Sequence, residues 1–135
     1  MGTTTAPEYP NANAVETPKK VVGRLVFHDA TTDFDIVADL DADAVRVQIS
    51  GELDVSTAPK LIATVHEVAQ PPVRRVDLDC EAVTFLDSTG LRALLVARSE
   101  ATRMGVDLVI VEPSRSVDRV IQMTGLAGLL TTRSS

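Results

Sequence analysis

A chain of 135 residues has the length of one ordinary domain, and a 44% hydrophobic content is ample for its core. A net charge of −6, no Trp, one Tyr and three Phe exclude the cationic footprint and the aromatic platforms that nucleic-acid binding needs. The longest unbroken apolar run is Ala93 to Ala97, far short of the roughly twenty residues of a membrane-spanning helix.

Residues 1–31 read as a flexible N-terminal tail. Thr3 to Thr5, Pro7, Pro10, Pro18 and Asn11 to Ala14 give no sustained periodicity. Within it only Val21 to Phe27 offers a run able to pair or pack. No apolar stretch of signal-peptide length opens the chain, so the expected location is cytoplasmic.

From Phe34 the pattern sharpens. Phe34, Ile36, Ala38 and Leu40 alternate with Asp35, Val37 and Asp39, which predicts a strand with one buried face. Asp41 to Ala44 is a turn, and Val45, Val47 and Ile49 alternate again, giving an antiparallel hairpin. The excess negative charge lies entirely in residues 33–54, where Asp33, Asp35, Asp39, Asp41, Asp43, Glu52 and Asp54 face only Arg46. The five aspartates before Arg46 read as a solvated outer face. Glu52 and Asp54 follow the strand, in a loop, and are the better candidates to steer a basic partner.

Ser56 or Thr57 can cap the next helix, and Pro59 suits its first turn, where a missing N–H costs nothing. Leu61, Ile62, Val65, Val68 and Ala69 form its apolar stripe, and Pro71-Pro72 stops it. Val76, Leu78 and Cys80 alternate with Asp77 and Asp79 as a third strand, and Glu81 to Asp87 read as a connection. A helix from about Ser88 to Met104 turns Leu91, Leu94, Leu95, Ala101 and Met104 inward and stops at Gly105. Val106 to Val111 reads as an interior strand. Pro113-Ser114 opens a further helix with Val117, Val120 and Ile121 on one face and Gly125 at its end, and Leu129 to Thr132 is a candidate last strand.

This order predicts one α/β domain over residues 32–135. Its sheet is mixed and mainly parallel, of four to five strands with one antiparallel edge strand, packed against helices. Strand-helix-strand steps require right-handed crossovers, and functional loops gather at the carboxyl ends of parallel strands. Ser50 to Asp54 and Glu81 to Asp87 are therefore expected to be neighbours.

Catalytic chemistry finds little support. His28 and His66 lie far from each other and from the predicted loops, and Cys80 is alone, so neither a metal nor a catalytic base is expected. The segment Leu86-Asp87-Ser88-Thr89-Gly90 is not a nucleophile elbow. It does deliver two hydroxyls to a helix start, where unpaired N–H groups and partial positive charge suit either a capping serine or one carrying a phosphate. Gly90 beside them lets another backbone approach.

Gly51-Glu52-Leu53-Asp54, Asp87-Ser88-Thr89-Gly90-Leu91, and Val117, Val120 and Ile121 before Thr124-Gly125-Leu126 resemble the STAS domain, and more narrowly the bacterial anti-sigma factor antagonists. The resemblance spans roughly residues 33–132. It implies a protein that binds an anti-sigma factor, often a serine kinase, when unphosphorylated and so releases a sigma factor for transcription. Phosphorylation falls on the serine after the motif aspartate, here Ser88, with Thr89 as the second acceptor, and a metal-dependent serine phosphatase reverses it. Glu52, Asp54, Asp87, Ser88, Thr89, Gly90, Leu91 and Arg92 are the implied partner-binding residues. From the residues themselves no catalysis and no nucleic-acid or membrane partner is expected, and no required cofactor beyond weak nucleotide binding near Ser88, in a protein expected to be a monomer or weak dimer. Two other readings stand beside it, a STAS-only scaffold of a signalling assembly and an accessory subunit of a lipid-transport ATPase complex.

Overall fold

The computed structural model describes residues 34–126 together with 19–21, 24–28, 130, 132 and 133. Seven strands form one sheet in sequence order: β1 (Lys19–Val21), β2 (Arg24–His28), β3 (Asp35–Asp41), β4 (Ala44–Leu53), β5 (Arg75–Leu86), β6 (Asp107–Val111) and β7 (Thr132–Arg133). The first four pair antiparallel, and β4 to β7 pair parallel. Helices α1 (Ala58–Val68), α2 (Ser88–Arg103) and α3 (Arg115–Thr124) fill the parallel crossovers. Each crossover steps one strand in the same direction, so right-handed connections place all three helices on one face.

The α/β class, the mixed sheet and the packed helices are as expected. The sheet extends beyond four to five strands because β1, β2 and the two-residue β7 add to it, so the antiparallel side carries three pairings rather than one edge strand. Reading residues 1–31 as a tail is corrected over 19–21 and 24–28, where 24–28 pair with Asp35–Asp39 and 19–21 pair in turn with 24–26. Residues 1–18 lie outside the described residues.

The hairpin between β3 and β4 turns through Ala42 and Asp43, with Ala42 at φ 56° in the left-handed region such tight turns require. Phe34, Ile36 and Ala38 are buried as the alternation requires, but Leu40 at the hairpin tip is 50% exposed. On the helix side, Val45, Val47 and Ile49 of β4 and Val76, Leu78 and Cys80 of β5 meet Leu61 and Val65 of α1 and Leu94 and Ala97 of α2 in one core. Burying a side chain of this size is worth about 1.5–3 kcal/mol. Met104, read as inward, is instead 38% exposed, because α2 has ended and Gly105 turns the chain away at φ 76°.

On the opposite face Asp77 and Asp79 are buried yet charged. Arg75 Nε donates to Asp77 Oδ1 at 2.9 Å, and Arg46 Nη2 donates to Asp79 Oδ2 at 2.7 Å. Each buried carboxylate thus has the partner that burial of a charge demands. Asp79 Oδ1 also accepts the Glu81 N–H at 3.0 Å, at the residue where the β4–β5 register shifts.

Candidate functional site

The site grows from the irregular end of the β4–β5 pair. Register shifts fall between Gln48 and Ser50 and between Gly51 and Glu52, so β5 carries extra residues against β4. Past them Glu52 pairs with Phe85 and Leu53 with Leu86. Residues 81–86, read as a connection, are therefore strand, and Glu52 belongs to the strand end rather than to a loop. The expected neighbourhood of the two segments holds, because this pairing sets Asp54 beside the start of α2.

Asp54 organises the turn into α1. Its Oδ1 accepts from Ser56 N–H at 2.9 Å, Ser56 Oγ–H at 2.8 Å and Thr57 N–H at 3.2 Å. Buried Thr57 donates its hydroxyl to Glu52 O at 2.7 Å and accepts from Asp54 N–H at 2.9 Å. Thr57 occupies the N-cap position of α1 without a side-chain cap bond. The capping role assigned to Ser56 or Thr57 is thus filled by neither side chain, and the Asp54 carboxylate instead accepts the Ser56 and Thr57 N–H groups of the turn that precedes the helix. Burial pushes the Asp54 carboxyl up, but the hydrogen bonds from Ser56 and Thr57 together outweigh it and hold it below its ordinary value.

At α2 the cap is Asp87. Its Oδ1 accepts the Gly90 N–H at 2.8 Å, the carboxylate's place at a helix start. Ser88 is consequently the first helical residue rather than the cap. It is exposed, and its hydroxyl makes no hydrogen bond among the described residues. Thr89 is half-buried.

Gly90 fixes how closely this helix start sits on the sheet. A Cβ there would stand 2.2 Å from Leu53 O and 2.7 Å from Leu86 Cδ1. The backbone that glycine admits is thus the end of β4, and Gly90, expected at the partner surface, is buried. Leu91 is likewise corrected: at 8% exposure it belongs to the core. Arg92 and Glu52 are exposed, as contact residues must be.

Two further residues were missed. Val55 is 66% exposed and Phe85 is 47% exposed, on the turn after Asp54 and opposite Glu52. The available signal was an apolar residue inside a polar turn and a Phe out of phase with the strand alternation. A groove of about 450 Å³ opens here, lined by Phe34, Gly51, Glu52, Asp54, Ser56, Thr57 and Thr84. Ser88 stands outside that lining. Cys80 lies in the core, and burial, with the Asp79 charge beside it, pushes its thiol up to about 12.

No helix among the described residues is long and apolar enough to cross a membrane. A mixed sheet with right-handed crossovers on one face, and an acid-capped second helix that presents a serine, define a small α/β domain built around an exposed helix start. The chain belongs to the STAS domain family, whose model matches residues 35–135. It is 29% identical over 100 residues to the anti-sigma-B factor antagonist of Listeria monocytogenes, covering 73% of this chain and 86% of that protein. The crystal structure of an anti-sigma factor antagonist from Mycobacterium paratuberculosis superposes with a TM-score of 0.66 at 25% identity, covering 74% of this chain and 85% of the other. The Bacillus cell fate determinant SpoIIAA shares the fold in its unphosphorylated form, with TM-score 0.60, 22% identity, and coverage of 72% and 86%. Its phosphorylated form gives TM-score 0.57, 21% identity, and coverage of 72% and 89%.

Proposed function

We propose that this protein is an anti-sigma factor antagonist. Unphosphorylated, the surface around Ser88 docks an anti-sigma factor and frees the sigma factor it holds, and phosphorylation of Ser88 abolishes docking. The anti-sigma factor is itself the serine kinase, a metal-dependent phosphatase restores the serine, and the exchange takes place in the cytoplasm without catalysis by this domain. The observation that carries the reading is the division of labour at α2, where Asp87 takes the cap and leaves the Ser88 hydroxyl exposed.

Val55 and Phe85 give the surface apolar contacts, while Glu52 and Arg92 supply charge on its rim. This composition, with apolar residues inside a charged rim, suits a protein interface. A phosphate adds about −1.5 to −2 charges. On the free domain that charge faces water and the positive end of α2, so the fold stands. In the complex it is enclosed, and an uncompensated buried charge costs about 3–5 kcal/mol. Since about 1.4 kcal/mol is tenfold in affinity, docking weakens at least a hundredfold.

Affinity capture from cell lysate of the source organism tests this with wild type, Ser88→Ala and Ser88→Glu as parallel baits. Wild type and Ser88→Ala are expected to retain an anti-sigma factor that Ser88→Glu loses. Retention of a transporter ATPase by all three baits would favour the accessory-subunit reading instead.

A further inference from the structure

We infer that Arg92 is the intramolecular partner of the Ser88 phosphate, so that modification both adds a charge to the docking surface and withdraws a cation from it. This rests on the reading of Ser88 as the modified residue. Phosphoryl transfer from a nucleoside triphosphate forms the Oγ–P bond, breaks the bond to the departing diphosphate and releases the hydroxyl proton. One guanidinium offsets only part of the new dianion, so net negative charge stays on the surface, and which cation supplies that offset is decided by the side chains within reach.

Ser88 and Arg92 stand four positions apart on α2, and both are exposed. That spacing puts them on one face, a turn apart. Long helical side chains lean toward the helix N-terminus, so Arg92 leans over the turn that begins at Ser88. The flanking Leu91 and Ala93 are buried and leave this face to the two of them.

Arg92 is also uncommitted. Arg46 is paired with Asp79, Arg75 with Asp77 and Arg103 with Glu100. Arg92 has no such partner among the described residues. Of the nearby acids, Asp87 holds Gly90 N–H and Asp54 holds Ser56 and Thr57, while Glu52 is exposed at the end of β4. A dianion beside the Asp87 carboxylate gains from a nearby cation, and the guanidinium fork matches phosphate geometry. In the unmodified protein the same guanidinium is free to meet a carboxylate on the docked protein. The two uses of Arg92 exclude one another.

The test places phosphoserine at position 88 by amber-codon incorporation, in wild type, Arg92→Gln, Arg92→Lys and Arg103→Gln. The second phosphate ionisation is then followed by 31P NMR at low salt. Pairing favours the dianion and lowers a midpoint that is ordinarily about 6. Wild type is expected to titrate about 0.2–0.4 unit below Arg92→Gln, the shift that an exposed helical ion pair produces. Arg92→Lys should keep most of that shift, and about 1 M salt should erase it. Arg103→Gln, at the far end of α2, should match wild type. Equal midpoints in wild type and Arg92→Gln overturn the inference, as does an equal shift from Arg103→Gln. No partner protein is present in the titration. Failure here is therefore distinct from failure of the functional reading, in which phosphorylated and unmodified protein would bind the anti-sigma factor alike.

Discussion

Replacing Gly90 with Ala tests whether the seating of α2 on β4 sets the site. The added methyl would stand 2.2 Å from Leu53 O and 3.0 Å from Leu53 C, both backbone atoms that no rotamer change can move. Leu86 Cδ1, at 2.7 Å, could turn aside, but its side chain is buried. The start of α2 must therefore lift from the strand end. Overpacking of this kind costs about 1–3 kcal/mol, and a rigid backbone obstacle puts the cost near the upper value. Alanine recovers about 1 kcal/mol of helix propensity. The net expectation is a loss of about 2 kcal/mol, which lowers the melting temperature by about 10 °C for a domain near 100 residues. Urea unfolding followed by circular dichroism reads the same loss as a midpoint drop of about 1 M. If Gly90→Ala instead melts at or above the wild-type temperature, the close approach to Leu53 is not what positions Ser88, and the account of the site loses its foundation.

Further predictions concern the two acids and the thiol. Asp87→Ala removes the acceptor for Gly90 N–H and should cost about 1 kcal/mol in chemical denaturation, whereas Asp87→Asn should cost less. Asp54 ionises below its ordinary value of 3.8 when folded, so its charged form stabilises the fold above that pH and the benefit is lost as pH falls through the depressed value. The melting-temperature gap between wild type and Asp54→Asn should therefore be constant above about pH 5 and close as pH drops below 3.8. Cys80, with its thiol raised from 9.0 to about 12, favours the folded state below pH 9.0 and loses that contribution as pH climbs toward 12. At pH 8 iodoacetamide should label Cys80 only after urea unfolding; rapid labelling of the native protein would contradict its place in the core.

Much of this architecture was legible where one physical signal dominated. Alternation from Phe34 to Ala38 and from Val45 to Ile49 has a single cause, one sheet face against the core, and it located the hairpin. Ser114, accepting Val117 N–H at 3.2 Å, and Gly125, at φ 72°, closed α3 where their types suggested. Legibility failed where two causes overlapped. Residues 81–86 looked like a connection because the register shifts break the period of two, leaving Glu81, Ala82, Thr84 and Phe85 exposed along a continuous strand. β1 and β2 were only partly legible, because the Val21 to Phe27 run is able to pair but is short, interrupted by Gly23 and Arg24, and preceded by a proline-punctuated polar stretch. At the site, type and spacing singled out Asp87 and Ser88 but not which of them caps the helix. The choice goes to the carboxylate, because a charge gains more from a helix start than a hydroxyl does. Gly90 and Leu91 share a motif with the exposed Ser88, yet helical periodicity turns both inward, which type and spacing alone do not reveal.

The most direct test of the central claim is the affinity of the purified anti-sigma factor for this protein, measured by isothermal titration calorimetry. One sample carries a free Ser88 hydroxyl and the other carries phosphoserine there at full occupancy. A dissociation constant at least a hundredfold weaker for the modified protein, at an unchanged melting temperature, is the predicted result. Equal constants for the two samples would contradict the account.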